Sequence, residues 1–244
     1  MEGDHSAARF PTTHWSRVVA AGDPATPEAR AALAELCAIY WYPIYALIRR
    51  RGYPAEEARD LVQSYFTRLL EKGTLAAADR ARGRFRAFLR TDCGYFLADY
   101  RDRQHALKRG GRATVSFDAL DAEGRYRADP ADDGLTPERL FDRDWALTLL
   151  GGVLDHLAAE HAAAGRGAWF DRLQVVLTEG PGAVRYAQIA AQLGTTEAAV
   201  QQAVSRLRKR YRAVLRERIA ATIDEPDEAA IADEVRDLFA ALAS

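Results

Sequence analysis

Along one stretch of the chain, Ala198, Gln201, Gln202, Ser205, Arg206, Lys209 and Arg212 recur three or four residues apart and change character in order. Two amides and a hydroxyl come first; cations follow. Amides and hydroxyls both donate and accept hydrogen bonds, which suits the mixed edges of bases in a major groove, while guanidinium and ammonium groups suit phosphates. This is the chemistry of recognition, not of bond-making. The spacing requires one face of a helix, and Val200, Ala203, Val204, Leu207 and Tyr211 supply an apolar stripe for the other. The surrounding sequence, "RYAQIAAQLGTTEAAVQQAVSRLRKRYRAVLRER", sets that helix in context. Ala187 to Leu193 predicts a short helix and Gly194 a sharp left-handed turn. Thr195 then caps a longer helix, with Glu197 in its first turn. Small Ala190, turning Gly194 and apolar Val200 fit a helix-turn-helix, and Thr195 joins the candidate DNA-facing set.

Other chemistry finds no support in the residues. Cys37 and Cys93 have no CxxC neighbour and read as small buried hydrophobes in a reducing compartment. The five histidines lack metal-ligand spacing; His156 and His161, five apart, do not share a helix face. The nearest Gly-rich stretch, "TEGPGA", lacks the Lys-Ser/Thr pair of a phosphate loop. No catalytic residue, metal or cofactor is expected, and the chain does not read as an enzyme. No apolar run reaches membrane-spanning length and the N-terminal stretch is polar, so the expectation is a cytoplasmic protein with no membrane partner. A net charge of −1 conceals basic clusters at Arg49–Arg51, Arg101–Arg112 and Arg206–Arg218. Particular faces, not the whole surface, would meet a polyanion.

The elements that must carry these faces are helices. Thr26 and Pro27 open one that continues through Leu33, Leu36, Tyr40, Ile44 and Leu47, with Pro43 expected to kink or break it. A second follows Pro54 and carries Leu61, Val62, Tyr65, Phe66, Leu69 and Leu70, stopping near Gly73. A third, from Arg84 to about Lys108, places Phe85, Phe88, Leu89, Phe96 and Tyr100 on one stripe and Arg86, Arg90, Arg101 and Lys108 on the opposite one. No strand pattern appears, so the fold class is all-α: two helical bundles joined by an irregular linker. The predicted boundaries are an N-terminal extension over 1–25, a first bundle over 26–108, the linker over 109–136, a helix-turn-helix bundle over 137–220, and an acidic amphipathic helix over 221–244. On that last helix Ile231, Val235, Leu238, Phe239 and Leu242 are spaced for one face.

Two basic helical faces in this order resemble a bacterial RNA polymerase sigma factor of the extracytoplasmic-function type, reduced to its second and fourth conserved regions. The resemblance rests on "AALAELCAIYWYPIYALIRRRGYPAEEARDLVQSYFTRLLE", with the D-L-x-Q-x-x-F pattern at Asp60, Leu61, Gln63 and Phe66, on "GRFRAFLRTDCGYFLADYRDRQHALKRGG", and on the helix-turn-helix. It covers about Thr26 to Ile219. The resemblance implies core RNA polymerase and promoter DNA as partners. Glu56, Glu57, Asp60, Gln63 and Phe66 would dock on polymerase, Arg86, Arg90, Arg101 and Lys108 would meet the minus-ten element, and the stretch from Thr195 to Arg212 would meet the minus-thirty-five element. Leu75–Gly83 would lie near a base flipped out as the duplex opens.

The docking helix departs from the family by being poor in acid. Arg59 stands beside Asp60, and Ser64 occupies a place where an acid is common. Asp60, Ser64 and Thr67 share a helix face, so a phosphate on Ser64 or Thr67 would restore negative charge there. The expectation is activation by a Ser/Thr protein kinase, with Thr67 the leading site, and the resemblance extends to a kinase-linked subset of the family. The acidic tail would either shield the basic helix Arg206–Arg218 or cap the bundle; its apolar stripe favours capping. The alternative reading is a stand-alone helix-turn-helix transcription regulator that needs no polymerase, which leaves the second basic face without a task.

Overall fold

Helix α1 (Pro27–Arg50) is enclosed on every side over its second half: Tyr42, Ile44, Tyr45, Ala46, Leu47 and Ile48 are all buried. A helix buried all round is the centre of a bundle, not its wall. The helix continues through Pro43, where a kink or break was expected. A proline inside a helix costs about 3 kcal/mol through the lost hydrogen bond and the ring clash, and the continuous burial of its neighbours offsets that cost. The computed structural model describes residues 27–71, 85–106, 119–128, 134–178, 186–223 and 226–243. The N-terminal extension, the connection Leu75–Gly83 and Lys108 therefore lie outside the described residues.

Among the described residues every regular element is a helix. They fall into two units. The first takes residues up to Thr148 and again from Ala220; the second runs from Leu149 to Ile219.

In the first unit α2 (Ala55–Glu71) buries Ala58, Leu61, Val62, Tyr65, Phe66 and Leu69, the i, i+3, i+4 spacing of one face. α3 (Phe85–Ala106) buries Phe85, Leu89, Cys93 and Leu97. The two helices are tied by Tyr65, whose hydroxyl donates to the carbonyl of Leu89 at 3.0 Å. Tyr40 of α1 meets Phe85 edge to face, ring centres 5.5 Å apart.

The segment expected as an irregular linker contains a helix, α4 (Ala119–Ala128). Its anchor is a buried acid. Glu123 accepts hydrogen bonds from Tyr45 and from Arg49, both on α1, and Arg127 on its own helix pairs with it at 3.0 Å. Tyr126 lies under the Arg49 guanidinium at 4.8 Å, and Arg125 stacks 3.7 Å over the ring of Tyr42. Burial by itself would raise the Glu123 pKa, but hydrogen bonds from Tyr45, Arg49 and Arg127 hold it down at about 2.

α5 (Pro137–Ala163) begins with Thr136, whose hydroxyl accepts from the amide of Arg139 at 3.3 Å. The division between the units falls inside α5, after Thr148, so the predicted boundary at 137 is displaced into the helix. In the first unit α5 buries Leu140, Phe141, Trp145 and Asp144, the last paired with Arg50 of α1.

The second unit comprises the rest of α5, then α6 (Gly167–Leu173), α7 (Val175–Thr178), α8 (Tyr186–Leu193) and α9 (Glu197–Ala220). Its core is Val153, Leu157, Phe170, Leu173, Val176, Ile189, Val200, Val204, Leu207, Val214 and Leu215. The chain then rejoins the first unit as α10 (Glu228–Leu242), capped by Asp227, whose carboxylate accepts from the amide of Ala230 at 2.6 Å. Ile231 and Leu238 are buried as their spacing predicts, while Phe239, expected on the same stripe, is 53% exposed.

Candidate nucleic-acid interface

The second unit builds the helix-turn-helix from α8 and α9. Gly194 takes φ of +62°, a conformation that costs a side-chain-bearing residue roughly 1–2 kcal/mol. Its amide donates to Ala191 at 3.4 Å, and the Thr195 amide donates to Ala190 at 2.9 Å. This pair of bonds closes the end of α8 and turns the chain. Ala190 and Val200 are buried, as the pattern of small residue, turn and apolar lock requires. The cap of α9 is one residue later than expected. The Thr196 hydroxyl, not that of Thr195, accepts from the amide of Ala199, at 3.2 Å, which leaves Thr195 as a half-exposed turn residue.

On α9 the two faces separate cleanly. Val200, Val204 and Leu207 are buried, and Ala203 and Tyr211 are half-buried. Ala198, Gln201, Gln202, Ser205, Arg206, Lys209 and Arg212 are all exposed on one continuous surface. Gln201 donates to Glu197 at 3.3 Å, which orients its amide, and Arg212 turns back to the Arg208 carbonyl at 3.3 Å. Arg210 faces the other way, where Glu160 of α5 accepts from its Nε at 3.1 Å. Hydrogen bonding to Arg210 keeps the Glu160 carboxyl below its ordinary pKa. One arginine of the basic run thus fastens the helix to its unit. Arg206, Arg208 and Lys209 make no ion pair among the described residues. Arg210 was not among the residues singled out by spacing and chemistry. Its signal was the inward register, seven residues beyond Ala203.

No family model matches the chain, and no curated protein or solved structure matches it.

The first unit treats its expected contacts unevenly. Arg86 was expected on a surface toward the minus-ten element; it is 7% exposed and enclosed by acids, so that expectation is corrected. Its Nη1 lies 2.7 Å from Glu234 and its Nη2 3.2 Å from Asp237, both on α10, and its Nε lies 3.5 Å from Asp142 on α5. Arg90 is half-buried and donates to the same Asp142 at 3.1 Å. Arg101 alone of the described set is exposed. The cause is tertiary: carboxylates from α5 and α10 converge on the stripe that the isolated helix would have shown to solvent.

On α2, Glu56, Asp60, Ser64 and Thr67 form one exposed stripe, and Gln63 is half-buried beside it. Glu57 accepts from the Tyr100 hydroxyl at 3.1 Å and so serves the α2–α3 contact. Phe66, expected to dock on a partner, is a core residue at 9% exposure, its ring 5.7 Å from that of Tyr65. The reason is its register with Val62 and Leu69 on the inward face. Arg68, beside Thr67, is held by Asp92 at 2.6 Å.

Cys93 is buried and Cys37 half-buried. Burial pushes the Cys93 thiol up to about 12 and the Cys37 thiol up to about 11, the opposite of what a nucleophile needs. Among the described residues no three His, Cys, Asp or Glu side chains are grouped to hold a metal, and no helix is long and apolar enough to cross a membrane.

Proposed function

We propose that this chain is a transcription initiation factor of the extracytoplasmic-function sigma type, which binds core RNA polymerase and directs it to specific promoters. The observation that carries the reading is the exposed face of α9, graded from amides and hydroxyl at Gln201, Gln202 and Ser205 to cations at Arg206, Lys209 and Arg212, behind a turn closed at Gly194. Base edges match the first group and phosphates the second. The stripe Glu56, Asp60, Ser64 and Thr67 supports a second, protein-facing surface on the same chain. Its two hydroxyls are exposed, as a kinase substrate must be, and a phosphate on Thr67 would add close to two negative charges beside Asp60. Phosphorylation of Thr67 by a Ser/Thr protein kinase is accordingly the proposed activating step.

The test is the affinity of purified core polymerase for the wild type, for Thr67→Glu and for kinase-treated protein at several salt concentrations, with promoter-directed transcription as the second readout. Binding that rises with added charge supports both parts. Tight, transcriptionally active wild-type binding removes the phosphorylation step and keeps the sigma reading.

One observation favours the alternative, a stand-alone helix-turn-helix regulator. Arg86 and Arg90 are both occupied by carboxylates, which leaves Arg101 as the one exposed cation of the expected minus-ten set among the described residues, against three cations on the α9 face. Specific DNA binding with no capture of polymerase in any phosphorylation state would decide for it.

A further inference from the structure

The carboxylates around Arg86 and Arg90 come from two helices of different standing. Asp142 belongs to α5, which is anchored independently by buried Leu140, Phe141 and Trp145. Glu234 and Asp237 belong to α10, in which Ile231 and Leu238 are the buried apolar residues. The cluster gathers three carboxylates on two guanidiniums, an excess of acid that mimics the dense negative charge of a phosphate backbone. It also sits at the margin of the unit. The side chains of Asp237, Asp142 and Arg90 are 37%, 27% and 26% exposed. Arg86 keeps two supports that do not depend on α10, namely Asp142 and the face of Trp145, 4.4 Å beneath its guanidinium. If α10 leaves, Arg86 remains positioned and its Nη1 and Nη2 become available.

Resting on the sigma reading above, we propose that α10 is a built-in acidic cover. Glu234 and Asp237 occupy a phosphate-binding site centred on Arg86 of α3, with Arg90 held beside it by Asp142 of α5, and nucleic acid and α10 compete for it. Arginine presents paired donors that suit a carboxylate or a phosphate equally well, so the two occupants can exchange without a change in the site itself. The free protein would hold its first-unit basic face closed until nucleic acid, brought close by α9, displaces α10. Displacing α10 would add the second set of phosphate contacts. In this arrangement the tail shields α3, where sequence alone offered only the helix Arg206–Arg218 for shielding.

The experiment is fluorescence anisotropy of full-length protein with a short labelled DNA duplex and with a single strand, over a range of salt. Asp237→Asn, Glu234→Gln and the double variant are compared with wild type, and thermal melting runs in parallel. Freeing the Arg86 guanidinium should steepen the log–log salt slope by about 1 and raise low-salt affinity severalfold, since Arg90 stays with Asp142 of α5. Asp237→Asn, at the exposed edge, is the variant that keeps Glu234 and the apolar contacts and should stay folded. Unchanged affinity and slope in folded Asp237→Asn and Glu234→Gln proteins would overturn the cover and leave α10 a purely structural helix. Hydrogen exchange of the wild type gives a second arm that needs no variant: α10 amides should exchange faster once DNA is bound, and unaltered exchange in the complex would also overturn it. Core polymerase capture is measured on the same samples. Capture with an unchanged slope sinks only the cover, whereas a steeper slope with no capture before or after kinase treatment keeps the cover and sinks the sigma reading.

Discussion

The guanidinium of Arg86 lies 4.4 Å from the ring centre of Trp145, itself fully buried. A delocalised cation is stable so deep in a helical unit because the ring face attracts it and carboxylates satisfy its edge. Lysine has neither the plane nor the paired donors. Arg86→Lys should therefore destabilise the protein by about 2 kcal/mol, and Arg86→Ala, which leaves Glu234 and Asp142 around an emptied site, by about 3–5 kcal/mol. Chemical denaturation of each variant beside the wild type measures both values.

Glu123 ties α4 to α1, and acid should untie it. Its folded pKa of about 2 lies below the ordinary value of 4.5, so its contribution is fully present above about pH 4.5 and fades as pH falls toward 2. Glu123→Gln keeps the shape but loses the charge-assisted bonds to Arg49, and should cost about 1.5–3 kcal/mol near neutral pH. Hydrogen exchange of residues 119–128 checks this directly. Wild type at low pH and the Gln variant at neutral pH, corrected for intrinsic rates, should lose protection over the same segment.

At Gly194 the backbone itself sets the cost. Gly194→Ala must hold φ near +62° with a Cβ, at a cost of about 1 kcal/mol. Space is available, since nothing lies within 4 Å of the added carbon, so the loss is conformational and not steric. The expected outcome is a lower melting temperature with the helical circular dichroism retained.

Residues on the α9 face should divide by role. Lys209→Ala should weaken binding to all sequences alike and reduce the salt slope by about 1. Gln201→Ala or Gln202→Ala should instead narrow the gap between a preferred site and random DNA, by about 1–3 kcal/mol for each base no longer read. Competition binding at fixed salt, followed by salt titration, separates the two. Arg210→Ala should behave as neither. It releases Glu160 and should appear first in melting temperature.

The helix-turn-helix was readable because its two faces differ in chemistry at a single period: Val200, Val204 and Leu207 against Gln201, Ser205 and Lys209. One residue of error at the cap, Thr195 for Thr196, reflects adjacent threonines that sequence cannot distinguish. Helix α4 was not readable, since what holds it is Glu123 against Tyr45 and Arg49, 78 and 74 residues away. Such a helix carries little apolar periodicity of its own. The same limit hid the state of Arg86, whose acidic neighbours Glu234 and Asp237 are 148 and 151 residues distant. Local pattern shows which face of a helix is polar; it does not show which distant element will neutralise that face.

The first unit is assembled from two stretches of chain that bracket the second. A ribosome therefore releases α1, α2 and α3 well before the helix that completes them. At about 5–20 residues per second, the roughly 120 residues between α3 and α10 take on the order of ten seconds to make. During that time the second unit, contiguous from Leu149 to Ile219, emerges whole and can fold while the first still lacks α10. A nascent chain stalled or cut near Ile223 would thus carry a finished helix-turn-helix beside a front unit with Arg86 missing two of its acids. The damage would be felt in the part of the protein made first.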